Sequence, residues 1–394
     1  MAEGFSGYAE VKGFTFAERA SDRDPRALGW ATLFAKGERK LGDSRFTASA
    51  RAEEISSRER GPLVFDPADR DARRTPVSVR DLWMRLPLTS SVDLQLGRFE
   101  LGWGKTDGYS PADAFLPRDL SDPFADEKLP LWAARLSGQR GPLRVEAVAC
   151  PVTTPWRLPV LGGRNAPLST GLPIGKVGIE DKENAPPRDG FGALRLLATF
   201  GNWDLGVWGR FGVRPAPLLV FRTDLASLGP SGPTVPVERR YAREQGAGVE
   251  VSLVAGSWVL RGETAALFSG DPGLGNALVG TLSAERGFGD GTLLVTLAGN
   301  AKDTPVDATF LFDRALLPVL IVAWNRTEAW GNWKVVWTEA LKHGDGLLKA
   351  EVGYNATDFW SLTLGGELPY GSEKGPLGAL HAARRAHLAL RRSW

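Results

Sequence analysis

Along most of this chain apolar and polar residues change places at every step. Trp203-Asp204-Leu205-Gly206-Val207-Trp208-Gly209-Arg210-Phe211 sets Trp203, Leu205, Val207 and Phe211 on one side and Asp204, Trp208 and Arg210 on the other. The stretches 143–147, 248–253, 258–263 and 348–352 repeat the two-residue period. That is the spacing of strands with two unlike faces, and helical periodicity is absent from these stretches. The pattern predicts strands at roughly 5–16, 28–40, 44–55, 77–88, 92–105, 129–138, 141–151, 190–201, 203–213, 245–255, 257–269, 278–287, 291–300, 316–325, 331–341, 346–354, 359–370 and 381–394. The count is about 18, within a range of 16–20, and even, as in bacterial barrels whose two ends lie on one side of the membrane.

The connections carry a second pattern. Short ones fall at roughly 40–43, 87–91, 139–140, 202, 256, 288–290, 325–330 and 355–358. Between them lie longer ones at roughly 17–27, 56–76, 106–128, 152–189, 214–244, 270–277, 301–315 and 371–380, and only the link at 343–345 breaks the alternation. A soluble sandwich has no reason to sort its loops so. A transmembrane antiparallel up-and-down β-barrel does, because its periplasmic turns are short and its extracellular loops long. Strands leaving short turns should then start with interfacial aromatics. Trp203, Trp258, Trp333, Phe359 and Trp360 stand there, Phe5 opens the first strand and Trp394 ends the last. A closing aromatic after an alternating strand resembles the assembly signal of outer-membrane barrels, with Arg392 departing from the apolar alternation.

Composition narrows the choice. Among 394 residues, 48 basic and 46 acidic groups leave a net charge of +2, without the basic excess of a nucleic-acid binder. No apolar run reaches about 18 residues, which excludes a membrane-spanning helix. The single Cys150 excludes an internal disulfide and any Cys-x-x-Cys-His haem attachment, and His343, His381 and His387 are too scattered for a convincing metal site. Neither cofactor nor metal is expected. The strand pattern starting just after Met1 reads as a mature chain with an added initiator Met.

The polar faces explain the rest. Glu10, Lys12, Arg51, Glu53, Arg85, Arg98, Glu100, Arg135, Arg144, Glu146, Arg195, Arg210, Glu250, Arg261, Glu263, Lys349 and Glu351 share the side opposite the apolar residues. So many charges cannot form a dry core. They line water, while the apolar side meets outer-membrane lipid, where Arg or Lys at mid-bilayer costs about 2–4 kcal/mol. A β-bulge near Gly97 would keep Leu94, Leu96, Phe99 and Leu101 outward and turn Arg98 and Glu100 inward.

The connection 106–128 reads TDGYSPADAFLPRDLSDPFADEK. Ser110-Pro111-Ala112-Asp113 predicts a short helix. The run Leu96-Gly97-Arg98-Phe99-Glu100-Leu101-Gly102-Trp103-Gly104-Lys105, with Thr106-Asp107-Gly108-Tyr109 and Pro117-Arg118-Asp119-Leu120, resembles a strand and loop of large outer-membrane porin-like barrels. That group includes the alginate-export-like barrels and the porin subunits of cytochrome conduits. The likeness covers about 35 residues and otherwise rests on architecture. It implies a loop that folds inward, with Asp107, Asp113, Arg118, Asp119 and Asp122 near a constriction opposite inward arginines. An acidic loop against a basic wall would set up a transverse field on passing solutes.

Three function classes follow. The first is a passive channel for small polar or charged solutes in the outer membrane of a Gram-negative bacterium, with both termini periplasmic, compatible with a homo-trimer. The second is a sheath around a partner such as a multihaem cytochrome, whose haem must come from another polypeptide. The third, an outer-membrane hydrolase near His381, lacks a nucleophile neighbour. The loops 152–189 and 214–244 read as mobile surface loops. Gly270-Asp271-Pro272-Gly273-Leu274-Gly275 lacks the Lys-Ser/Thr pair of a phosphate loop. The acceptor patterns at Asn325 and Asn355 fall in predicted turns of a bacterial chain and carry no glycosylation.

Overall fold

Strands with an apolar side turned to lipid cannot leave backbone edges bare, because no water is there to satisfy them. In the computed structural model every such edge is paired. It describes residues 4–19, 24–57, 60, 61, 63, 71, 73–113, 115–125, 127–161, 163–165, 178–182, 187–222, 226–229, 232–301 and 316–394. Much of the expected long connections 56–76 and 152–189, and nearly all of 301–315, lies outside the described residues.

The wall begins with β1 (Gly4–Phe16), β2 (Ala27–Leu41), β3 (Ser44–Ile55), β4 (Val77–Thr89) and β5 (Val92–Phe99). The next connection holds a two-stranded ladder of β6 (Arg118–Asp119) and β7 (Glu127–Lys128). The wall resumes with β8 (Leu131–Arg140) and β9 (Leu143–Cys150) and, past β10 (Gly178–Lys182), with β11 (Phe191–Phe200) and β12 (Trp203–Val213). β13 (Leu218–Phe221), β14 (Ser227–Gly229) and β15 (Gly232–Arg240) join β10 in a separate four-stranded sheet at the long-loop end. β16 (Arg243–Ala255), β17 (Trp258–Ser269), β18 (Ala277–Phe288), β19 (Gly291–Asn300), β20 (Val319–Glu328), β21 (Gly331–Ala340), β22 (Asp345–Asn355), β23 (Trp360–Gly371) and β24 (Arg385–Ser393) complete it.

Each wall strand pairs antiparallel with the next, and β24 returns to β1 with Tyr8 opposite Ser393 and Phe16 opposite Arg385. The 18-stranded sheet is thus a closed barrel. Gly7 and Trp394 exchange both backbone hydrogen bonds at the seam, 3.2 and 3.1 Å. The first and last strands therefore bring Gly4 and Ser393 to the same end as the short turns. Two of those turns put a glycine where a side chain is strained, Gly201 at φ 60° and Gly256 at φ 62°.

The alternation sorts as the sequence predicts. Outward positions such as Leu205, Val207, Leu260 and Leu364 are exposed, Leu282 at 68%. Phe5, Trp203, Trp258, Trp360 and Trp394 are exposed on that outer side at the short-turn end, with Trp333 tilted against Trp324 at 6.2 Å among them. Inward positions such as Glu146, Arg195, Arg210, Glu250 and Glu263 are buried.

Four local expectations are corrected. The ladders to β4 and β8 run unbroken through Gly97; the register shifts of β4 sit instead at Arg80, skipped between Ser49–Asp81 and Ala50–Val79, and at Leu88, skipped between Pro87–Asp93 and Thr89–Val92. β5 stops at Phe99 rather than 105, and the chain turns into the barrel. β24 starts at Arg385, because Gly378–Ala383 forms a 3-10 helix. The loops 152–189 and 214–244, read as mobile, hold packed pieces: Trp156, Leu158 and Ala216 are buried against Leu120 of the inward segment.

Candidate functional site

The residues after β5 do not stay at the rim. From Leu101 to Leu131 nearly every described side chain is buried or partly buried, Leu101, Trp103, Phe115, Leu116 and Leu129 almost completely. A 3-10 turn at Pro111–Asp113 occupies the expected short helix. Phe115 packs on Trp103, Phe191 and Trp208, centroids 5.7, 5.6 and 6.1 Å away, so this aromatic knot joins the segment to β11 and β12.

Polar anchors fix it to walls far apart around the ring. Glu263 of β17 accepts hydrogen bonds from the backbone N–H groups of Lys105 (2.6 Å), Thr106 (2.7 Å) and Ala112 (3.3 Å) and from the hydroxyls of Thr106 (3.0 Å) and Ser110 (2.6 Å). A carboxylate offers about four acceptor sites, and donors oriented by a tight turn saturate it. Arg195 of β11 chelates Glu250 and donates to the Trp103 carbonyl at 2.7 Å. Thr296 of β19 donates to the Asp107 carbonyl at 3.0 Å, and Lys349 of β22 to that of Phe124 at 2.6 Å. Arg385 of β24 grips Asp122 at 2.9 Å and Glu367 at 2.9 Å.

At the long-loop end a charged latch closes over the segment. Arg74 contacts Asp119 (3.2 Å), Glu127 (2.8 Å) and Glu53 (3.3 Å), Arg157 reaches Asp119 at 2.6 Å, and Arg51 and Arg80 reach Glu127 at 2.6 and 3.0 Å. Burial alone would raise the Asp119 carboxyl, but Arg74 and Arg157 hold it well below the usual range. Glu127, likewise opposed by burial, is held down to about 2 by Arg74, Arg51 and Arg80. Those carboxylates in turn keep the buried Arg74 guanidinium firmly protonated.

What the segment leaves open is an eccentric cavity of about 650 Å³ against β18–β23. Asp107, Gly108, Pro123 and Phe124 form its segment side. Its wall side is Glu285, Thr292, Leu294, Ile321, Ala323, Asn325, Lys334, Val336, Thr338, Leu347, Lys349, Glu351 and Glu367, with Leu316 and Leu377 at the long-loop end. A smaller polar recess of about 200 Å³ at the short-turn end gathers Arg85, Asp93, Gln95, Arg135, Ser137 and Arg144. Arg85 pairs there with Asp93, Arg135 with Gln95 at 2.5 Å and Arg144 with Glu146 at 2.5 Å. A more apolar groove, by contrast, lies among outward side chains such as Leu196, Leu205, Val207 and Leu282.

Of the residues expected at a constriction, only Asp107 lines the cavity, 3.9 Å from Arg261, which pairs with Glu285 at 2.7 Å. Asp113 is buried, accepting from the Trp103 and Gly104 N–H groups at 2.9 and 2.8 Å and from Lys128 at 2.6 Å. Arg118, Asp119 and Asp122 are likewise inside the packed segment. Arg98 is fully buried, its Nε donating to the Val79 carbonyl at 2.8 Å, and does not line the cavity; Glu100 is exposed just past β5. Arg195 lies under the segment, and Arg210, paired with Glu244, stacks 5.0 Å from Phe115. The face pattern included Glu263 without revealing its anchoring part; Glu285, Lys334 and Glu367 were readable from the same parity, whereas the Arg74–Asp119–Arg157 latch carried no local signal.

No protein-family model matches the sequence, and no curated protein matches it. Among solved structures, the barrel is similar to Pseudomonas aeruginosa OccK2 (OpdF) in complex with glucuronate, with a TM-score of 0.56 and 11% identity over 100% of this chain and 97% of that one. A triple mutant of Rhodopseudomonas blastica porin aligns over 100% of both chains at 9% identity and a TM-score of 0.46.

Proposed function

We propose that this porin-like, closed β-barrel is an outer-membrane channel through which small polar solutes pass passively, with both termini periplasmic and the segment 101–130 narrowing the lumen to the cavity beside β18–β23. One observation carries the reading: a ring of 18 strands, apolar outside and charged inside, encloses a segment of its own chain and still leaves about 650 Å³ beside it. A barrel of this size is wide enough to hold more than packed side chains. The fold likeness to OccK2 agrees with a channel architecture. The outward aromatics at the short-turn end suit the periplasmic lipid interface. The sheath reading is less well supported, since the inward segment already occupies the space a threaded cytochrome would need.

The test is conductance. Purified protein inserted in planar bilayers should give discrete, ohmic steps in KCl, and a folded, inserted barrel that carries no current would refute the channel.

A further inference from the structure

The inner wall has two characters. On β3, β11 and β24, the inward residues that meet the segment are spent on ion pairs. Beside the open cavity, β19–β21 instead present an apolar strip: Leu294 stands opposite Ala323 in the ladder and Ala323 opposite Val336, with Ile321 one inward position further toward the long-loop end and Leu347 of β22 beyond Thr338. Phe124 faces the same space from the segment. Apolar side chains along a passage for hydrated ions contribute nothing to transit; they favour a solute that can cover them.

The charges beside the patch are not equally available. Glu285 faces Arg261 at 2.7 Å, Glu367 faces Arg385 at 2.9 Å and Glu351 faces His387 at 3.4 Å, while Lys349 donates to the Phe124 carbonyl. Lys334 is exposed in the cavity, directly across the ladder from Glu351, yet makes no ion pair among the described residues. It sits on the same face as Val336 and Thr338, two and four residues on, a span of about 7–13 Å.

We propose that this cavity, on the channel reading above, binds small monocarboxylates with an apolar body, the carboxylate at Lys334 and the hydrocarbon along Val336, Ala323, Leu294 and Ile321. The charged end supplies direction and the apolar strip supplies residence, the usual division of labour in a ligand pocket.

Single-channel recording in KCl separates this from the channel reading itself. With the open current established, hexanoate should interrupt it with dwell times about tenfold longer than gluconate, which has the charge without the apolar body, or hexylammonium, which has the body with the opposite charge. Lys334→Gln and, independently, Ile321→Ser should each bring the hexanoate dwell time to that of gluconate, folding being checked by the heat-dependent gel mobility of the barrel. If one variant fails to fold, the other decides. Equal interruptions by hexanoate and gluconate, or unchanged dwell times in the folded variants, overturn the proposal and leave the channel standing. A folded barrel without any KCl current overturns both.

Discussion

Glu263 does more for the lumen than any other single side chain, because one buried carboxylate satisfies donors from four residues of the inward segment. Glu263→Ala orphans those donors at about 1–3 kcal/mol each where water cannot replace the lost oxygen. The expected outcome is a barrel that still folds but shows a larger and noisier KCl conductance; an unchanged single-channel current would contradict the anchoring. Asp119 has a comparable place in the latch. It is fully buried between Arg74 and Arg157, so Asp119→Asn removes the carboxylate that two buried guanidinium groups share, at a cost of about 3–5 kcal/mol. Limited proteolysis should then cut within 115–130 in the variant and not in the parent. The latch also sets an acid limit. Glu127, at about 2 in the fold, and Asp119, lower still, bind protons less readily than unfolded carboxyls near about 4. Their stabilisation is therefore complete above about pH 4 and is lost as pH falls through about 2. Conductance recorded between pH 5 and 2 should rise only in the lowest part of that window.

At the level of elements, the wall strands were readable because each carries its own two-residue alternation, and lipid on one side with water on the other leaves no second arrangement for it. β12, β16 and β17 are found where the pattern puts them. The exceptions have local causes. Gly104, with no room for a side chain beside Ser110 and Asp113, lets the chain pack inward after Phe99 despite continued alternation, and the packed turn at Gly378–Ala383 takes the first residues expected of β24. The inward segment behaves as a separable insert. Replacing 106–127 by a short Gly-Ser link should leave the heat-dependent gel mobility of the barrel intact and raise conductance several-fold, since the segment's anchors on the strands meet the wall from inside and the rest come from connections. Loss of the folded barrel would show instead that the segment is part of the fold's core.

For the whole molecule, closure and the lipid face decide stability. β24 must find β1 across the entire sequence, and the Gly7–Trp394 exchange seals that seam. Val207 lies in the outward apolar band; Val207→Arg should lower the unfolding free energy in vesicles by about 2–4 kcal/mol if it faces mid-bilayer, and a neutral effect would argue against a lipid-facing outer surface. By itself the sequence determined the strands, their two faces, the order of short and long connections and hence a membrane barrel, because each of these is written in neighbouring residues and in a solvent that differs between the faces. Tertiary structure alone decided which charges face the cavity. Asp119 meets Arg74 and Arg157, Asp122 meets Arg385, and Glu263 meets the segment turn across separations of tens to hundreds of residues. No local spacing encodes such pairings, so Asp113, Asp119 and Asp122, expected at a constriction, became anchors, and the cavity was left to Asp107, Lys334 and an apolar wall.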